Sequence, residues 1–128
     1  MTKERILLVE DEPLVRVLLL ETLVEAGFVV VEAGDADEAL ALLVQQERFD
    51  LLLTDVHMPG RCDGLGVAGH ARGRQPELPV LFVTGRPDVV GSFAEPDART
   101  VCLAKPFRLA DLLRVLHCLL AGEEPPSL

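Results

Sequence analysis

The chain is poor in cysteine, in basic residues and in long apolar runs, and each shortage narrows what it can be. Its three cysteines, Cys62, Cys102 and Cys118, are odd in number and lack CxxC spacing. That argues against a disulfide framework or a zinc site and fits a reducing cytosol. Lys and Arg together number 12 against 21 Asp and Glu, a formal net charge of −9. Nucleic-acid-binding modules normally carry a basic face, so no nucleic-acid partner is expected; a cation ligand or a basic protein surface stays open. No apolar run reaches membrane-spanning length, because Glu10, Glu21, Glu25 and Glu32 interrupt the N-terminal half. The opening MTKERILLVE has too short an apolar stretch for a signal peptide. The expectation is a cytoplasmic protein with no membrane partner.

What is present suits one compact unit. A length of 128 residues with 49% hydrophobic content is enough for a single buried core. Ile6 to Val9 reads as a strand buried on both faces. Pro13 fits the first turn of a helix whose Leu14, Val17 and Leu18 form an apolar side against Glu21 and Glu25, stopping at Gly27. Phe28 to Val31 is a second strand, and Asp35 can cap a helix carrying Ala36, Ala39, Leu40, Leu43 and Val44. Phe49 and Leu51 to Leu53 form a third strand ending at Thr54 and Asp55. A loop spans Met58 to Gly64, and a weaker Gly- and Ala-rich helix runs from about Leu65 to Arg74. Pro79 to Val83 is a fourth strand, and Pro87 to Pro96 permits only a short helix. Thr100 to Ala104 is a fifth strand, and Leu109 to Leu120 a last helix with Leu112, Leu113, Leu116 and Leu119 at helical spacing. Strand and helix repeated five times imply an α/β fold: parallel strands with right-handed crossovers on both faces. The closing GEEPPSL reads as a flexible tail over 122–128, leaving 1–121 as the domain.

One stretch demands explanation. In LLVEDEP, Leu7 to Pro13, three carboxylates come directly after an apolar strand. At ~4 Å and an effective dielectric of ~20, each like-charged pair repels by roughly 4 kcal/mol. Acids at a helix start are one ordinary reading. The other emerges from the residues just past each strand: Glu10 and Asp11 after the first, Asp55 after the third, Thr84 after the fourth and Lys105 after the fifth. In open parallel sheets ligands bind at the carboxyl ends of the strands. A hard cation preferring oxygen ligands suits the acids there. Magnesium suits best, because it takes few protein carboxylates and keeps exchangeable waters. Thr84 then offers a hydroxyl donor, and Lys105 a positive charge, to phosphoryl oxygens.

The stretches VEDEP, LLLTDVHMPG, VLFVTG and LAKPF, in this order, resemble the receiver domain of bacterial two-component response regulators, over about Arg5 to Leu120. The wording is similar to stand-alone or hybrid-kinase-associated receivers. The resemblance implies a flavodoxin-like doubly wound (βα)5 fold with strand order 2-1-3-4-5. It implies that Asp55 accepts a phosphoryl group from the phosphohistidine of a histidine kinase or phosphotransfer protein, with Mg2+ as cofactor. Glu10, Asp11, Asp55 and the backbone carbonyl of His57 would hold the metal. Thr84 and Lys105 would contact the phosphoryl group, with a cis Lys105–Pro106 peptide aiming the lysine. Such a module is not an enzyme beyond self-phosphorylation and autodephosphorylation. Its output would be contact with a downstream protein through the fourth helix, fifth strand and fifth helix, or onward phosphotransfer, as a monomer or weak dimer.

Four positions depart from the family wording. Glu10 replaces the more frequent Asp, GRCDG (Gly60 to Gly64) carries one extra residue, and Gly85 stands where Ala is usual. The fourth is Cys102, at the switch position that normally holds Tyr or Phe, in a chain with no tyrosine. Phe82, Phe93 or Phe107 would have to substitute, or the backbone alone would carry the signal. His57 and Arg86, two residues beyond Asp55 and Thr84, occupy positions that influence acyl-phosphate lifetime in the family. Two alternatives are a degenerate receiver that only binds proteins and a small aspartyl-phosphate phosphohydrolase. The latter is disfavoured because residue 57 is His rather than a second Asp.

Overall fold

The apolar runs separated by helical spacings assemble into one five-stranded parallel sheet of order β2-β1-β3-β4-β5, as expected. The computed structural model describes residues 3–45, 48–58, 62–86 and 99–124. The strands are β1 (Arg5–Val9), β2 (Val29–Ala33), β3 (Leu51–Asp55), β4 (Val80–Thr84) and β5 (Thr100–Ala104). The helices among the described residues are α1 (Pro13–Glu25), α2 (Ala36–Gln45), α3 (Gly64–Arg74) and α4 (Leu109–Ala121). The short helix expected over Pro87 to Pro96, with Phe93, lies outside the described residues, as do 59–61 and the tail from 125.

Alternation along the central strands divides the core in two. Leu7, Val9, Leu52, Val80 and Phe82 face Ala36, Ala39 and Leu43 of α2 and Val67, Ala68 and Ala71 of α3. Ile6, Leu8, Leu51, Leu53, Leu81 and Val83 face Leu19 and Leu23 of α1 and Leu112, Val115, Leu116 and Leu119 of α4. Every residue of β3 and β4 is buried, as central strands covered by helices on both faces must be.

The local signals hold at most boundaries. Pro13 opens α1, and Gly27 beyond its end takes a positive φ of 98°, which a residue with a Cβ rarely adopts. The Asp35 carboxylate accepts the Glu38 N–H at 2.8 Å at the start of α2. The second strand begins one residue late and extends to Ala33, with Phe28 buried just before it.

The buried face of α1 differs from the expectation. Leu14 is 85% exposed, Val17 49% and Leu18 50%, while Leu19 and Leu23 are buried and Val15 and Leu20 pack beside them. The run LVRVLLL is apolar nearly all round, so spacing alone offers two competing stripes. The direction in which the chain leaves β1 selects between them. Val44 is likewise exposed on α2, at the end of its buried stripe.

Candidate functional site: an acidic pocket at the carboxyl edge

Parallel pairing brings the five strand ends to one edge. Glu10 follows β1 and extends its pairing, donating its N–H to the Ala33 carbonyl at 3.1 Å. Asp55 ends β3 and pairs with Val83, and Thr84 ends β4 opposite Ala104. Lys105 follows β5, donating its N–H to the Thr84 carbonyl at 2.8 Å, and its peptide bond to Pro106 is cis. All the residues named for this edge therefore meet there.

The geometry is that of an acid pocket with the Lys105 ammonium inside it. Carboxylate oxygens of Glu10, Asp11 and Asp55 all lie within 4.8 Å of one another. Lys105 Nζ sits 3.0 Å from Asp55 Oδ2 and 3.4 Å from Glu10 Oε1. Glu10 is 1% exposed and Asp55 8%, so their charges are largely withdrawn from water. Glu10 Oε2 also accepts the Glu12 N–H at 3.1 Å. Burial raises the Glu10 carboxyl above its ordinary value, and the Asp55 charge adds to this, against the Glu12 N–H and Lys105. Burial pulls the Lys105 ammonium down, but its bond to Asp55 and the charges of Glu10 and Asp55 more than restore it, leaving it raised.

Three oxygen donors on adjacent strand ends match the preference of a small hard divalent cation. Thr84 is fully buried and its Oγ1 accepts the Arg86 N–H at 3.0 Å, a bond that does not use the hydroxyl's own proton. The His57 side chain is exposed, so only its main chain is suited to the pocket. His70 and His117 are exposed on α3 and α4, the latter against Phe28 with ring centroids 5.7 Å apart.

Cys102 is half-buried, and burial raises its thiol. A protonated thiol is a poor nucleophile, which weighs against a redox role. Of the aromatics proposed to substitute for it, Phe82 pairs directly with Cys102 and is fully buried in the core, whereas Phe107 is half-buried next to Lys105.

Two contributors carry no clear signal in the sequence. A Cβ on Gly64 would fall 1.9 Å from the Asp55 carbonyl oxygen, so only glycine lets α3 begin this close to the acid. Its N–H donates to the Val56 carbonyl at 2.8 Å. In the sequence Gly64 is legible only as loop punctuation. Arg16 on α1 donates from Nη1 to the Glu10 carbonyl at 2.8 Å, a contact between i and i+6 that no motif announces.

Comparison with known proteins agrees with this geometry. Residues 6–117 match the response regulator receiver domain model. The chain is similar to the response regulator receiver protein CpdR of Brucella abortus, 38% identical over 120 residues, covering 91% of this chain and 97% of CpdR. It is 40% identical over 122 residues to the response regulator MprA of Mycobacterium tuberculosis, covering 94% of this chain but 52% of MprA, about half that relative's length. Among solved structures it resembles a response regulator receiver protein from Sinorhizobium medicae, with a TM-score of 0.86, 30% identity, and 94% and 96% of the two chains covered. It also resembles TrrA of Thermotoga maritima in complex with Mg2+-BeF, with a TM-score of 0.76, 32% identity, and 91% and 98% covered. With its acidic pocket fitting the phosphoacceptor site of such domains, this chain belongs to the response regulator receiver domain family.

Proposed function

We propose that Asp55 accepts a phosphoryl group from the phosphohistidine of a histidine kinase or phosphotransfer protein. The observation that carries this reading is the pocket itself: three carboxylates within 4.8 Å, with Lys105 held 3.0 Å from Asp55. An Asp55 carboxylate oxygen forms the new P–O bond, the P–N bond to the donor imidazole breaks, and the imidazole keeps the electron pair. Phosphoryl transfer asks mainly for positioning and charge neutralisation, which these residues can supply. Lys105 moves its charge from the free carboxylate to the phosphoryl oxygens, and the Thr84 hydroxyl donates to another. Glu10, Asp11, Asp55 and the His57 carbonyl would hold Mg2+, which supplies further positive charge between the acids and the transferred group.

The donor docks along α1. Leu18, exposed on α1 as are Leu14 and Val17, lines a groove of about 430 Å3 together with Val15, Lys105, Phe107 and Leu109. A helix laid there presents its phosphohistidine beside Lys105. Output runs through the face that such domains build from their fourth helix, fifth strand and fifth helix, of which β5 and α4 are among the described residues, and Cys102, half-buried on β5, occupies the switch position without an aromatic ring. In this reading 1–121 form the receiver, 122–128 a tail, and the protein acts in the cytoplasm as a monomer or weak dimer.

Intact mass after incubation with acetyl phosphate or phosphoramidate tests the chemistry. One phosphate-sized increment is expected in wild type with Mg2+, and none without it or in Asp55→Asn. No increment in a protein that still binds the metal, from these small donors and from phosphorylated candidate kinases alike, would overturn this reading in favour of a phosphorylation-independent binding module.

A further inference from the structure

Arg16 is not one of the pocket acids, yet it holds the main chain from which two of them hang. Its Nη1 donates to the Glu10 carbonyl at 2.8 Å, and its Nε lies 3.3 Å from Glu32 Oε1 on β2. The Glu10 N–H is fastened on the other side to the Ala33 carbonyl at 3.1 Å. The guanidinium lies against Gly34, where a Cβ would come 3.1 Å from Nη1, so the small residue leaves the space it fills. Glu10 is therefore gripped at both ends of its backbone, by β2 at the amide and by α1 at the carbonyl.

That carbonyl belongs to the Glu10–Asp11 peptide, whose orientation decides where Asp11 points. Without a donor on it, the peptide can turn, and repulsion among Glu10, Asp11 and Asp55 would spread the three carboxylates apart. We infer that Arg16 is a positioning residue of the acidic pocket: by fixing the Glu10–Asp11 peptide it makes the three carboxylates converge and so sets the pocket's affinity for a divalent cation. The Glu32 pair and the Gly34 space hold the guanidinium in the orientation this needs. Lysine, with one compact ammonium in place of a planar fork, does not reproduce it.

The inference rests on reading the pocket as a cation site, and the test separates the two. Mn2+ binding to the unphosphorylated protein is measured by the electron paramagnetic resonance signal of free Mn2+, for wild type, Arg16→Ala, Arg16→Lys and Glu32→Gln. Partners that orient metal ligands are worth ~10–100-fold in affinity. Arg16→Ala should therefore bind at least about tenfold more weakly, Arg16→Lys should recover only part of this, and Glu32→Gln should show a smaller loss in the same direction. At saturating Mg2+ the rate of labelling by acetyl phosphate should return to the wild-type value in Arg16→Ala. Unchanged affinity in Arg16→Ala, full recovery with lysine, or a labelling rate still depressed at saturating metal overturns the positioning role. If Arg16→Ala does not fold, Glu32→Gln decides, and unchanged Mn2+ affinity in it overturns the proposal. Wild type failing to bind Mn2+ would instead overturn the reading of the pocket itself.

Discussion

Lys105 is the residue on which the metal-free pocket depends. It offsets two carboxylates that are 1% and 8% exposed, and removing it leaves both without their ammonium. Its own side chain is 30% exposed, so solvent screening moderates the loss. Lys105→Met should cost about 1–3 kcal/mol in urea unfolding without metal, and less with Mg2+, whose charge takes over the same task. An equal cost in both conditions would mean that lysine and metal do not share the acids. Glu10 yields a pH signature. Its folded-state pKa is raised above 4.5, so the folded protein binds this proton more tightly than the unfolded chain. Its contribution to stability therefore grows as pH falls from neutral through the folded value toward 4.5. Glu10→Gln should abolish that gain, so the wild-type-minus-variant difference in unfolding free energy, measured in a chelator, should rise as pH falls. Lys105 is raised above 10.5, and its stabilising contribution is present below that pH and lost as pH climbs through its folded value.

Among the elements, α1 shows where sequence patterning reaches its limit. Its termini were legible, because Pro13 and Gly27 are local signals that act through φ alone. Its rotation was not, because Leu14, Val17 and Leu18 make as good an apolar stripe as Val15, Leu19 and Leu23. The exposed stripe is costly unless a partner covers it, which is why the donor is placed there. Leu14→Ser and Leu18→Ser should change stability by no more than about 0.5 kcal/mol, as surface positions do. They should slow transfer from a phosphorylated histidine kinase that labels wild type, while labelling by acetyl phosphate stays unchanged. Slowing of both reactions would point to a damaged pocket rather than a lost docking face. On the opposite side of the sheet, α3 begins against Asp55 only because residue 64 is glycine, a contact that its place in GRCDG does not reveal.

For the whole molecule, the acid pocket links ligand binding to stability. A cation that binds only the folded state at a hundredfold its dissociation constant adds about 2.7 kcal/mol. For a domain of this size that corresponds to a rise in melting temperature of roughly 10 °C. Mg2+ should produce this shift in wild type, and Asp11→Asn should remove most of it; an equal shift in both would place the cation elsewhere. The family and the two-faced parallel sheet were legible because alternating strand and helix patterns, and the order of the four motifs, are properties of the chain alone. So was the identity of the residues at the carboxyl edge, since each comes directly after a strand. What only the tertiary structure decided is how those residues are held. Lys105 bridges Asp55 and Glu10 across 50 and 95 residues, Gly64 admits α3 to the Asp55 carbonyl, and Arg16 grips Glu10 from α1. Sequence spacing records periodicity and local dihedral preference, whereas these contacts depend on the rotation of helices and the packing of backbones brought together only when the sheet closes.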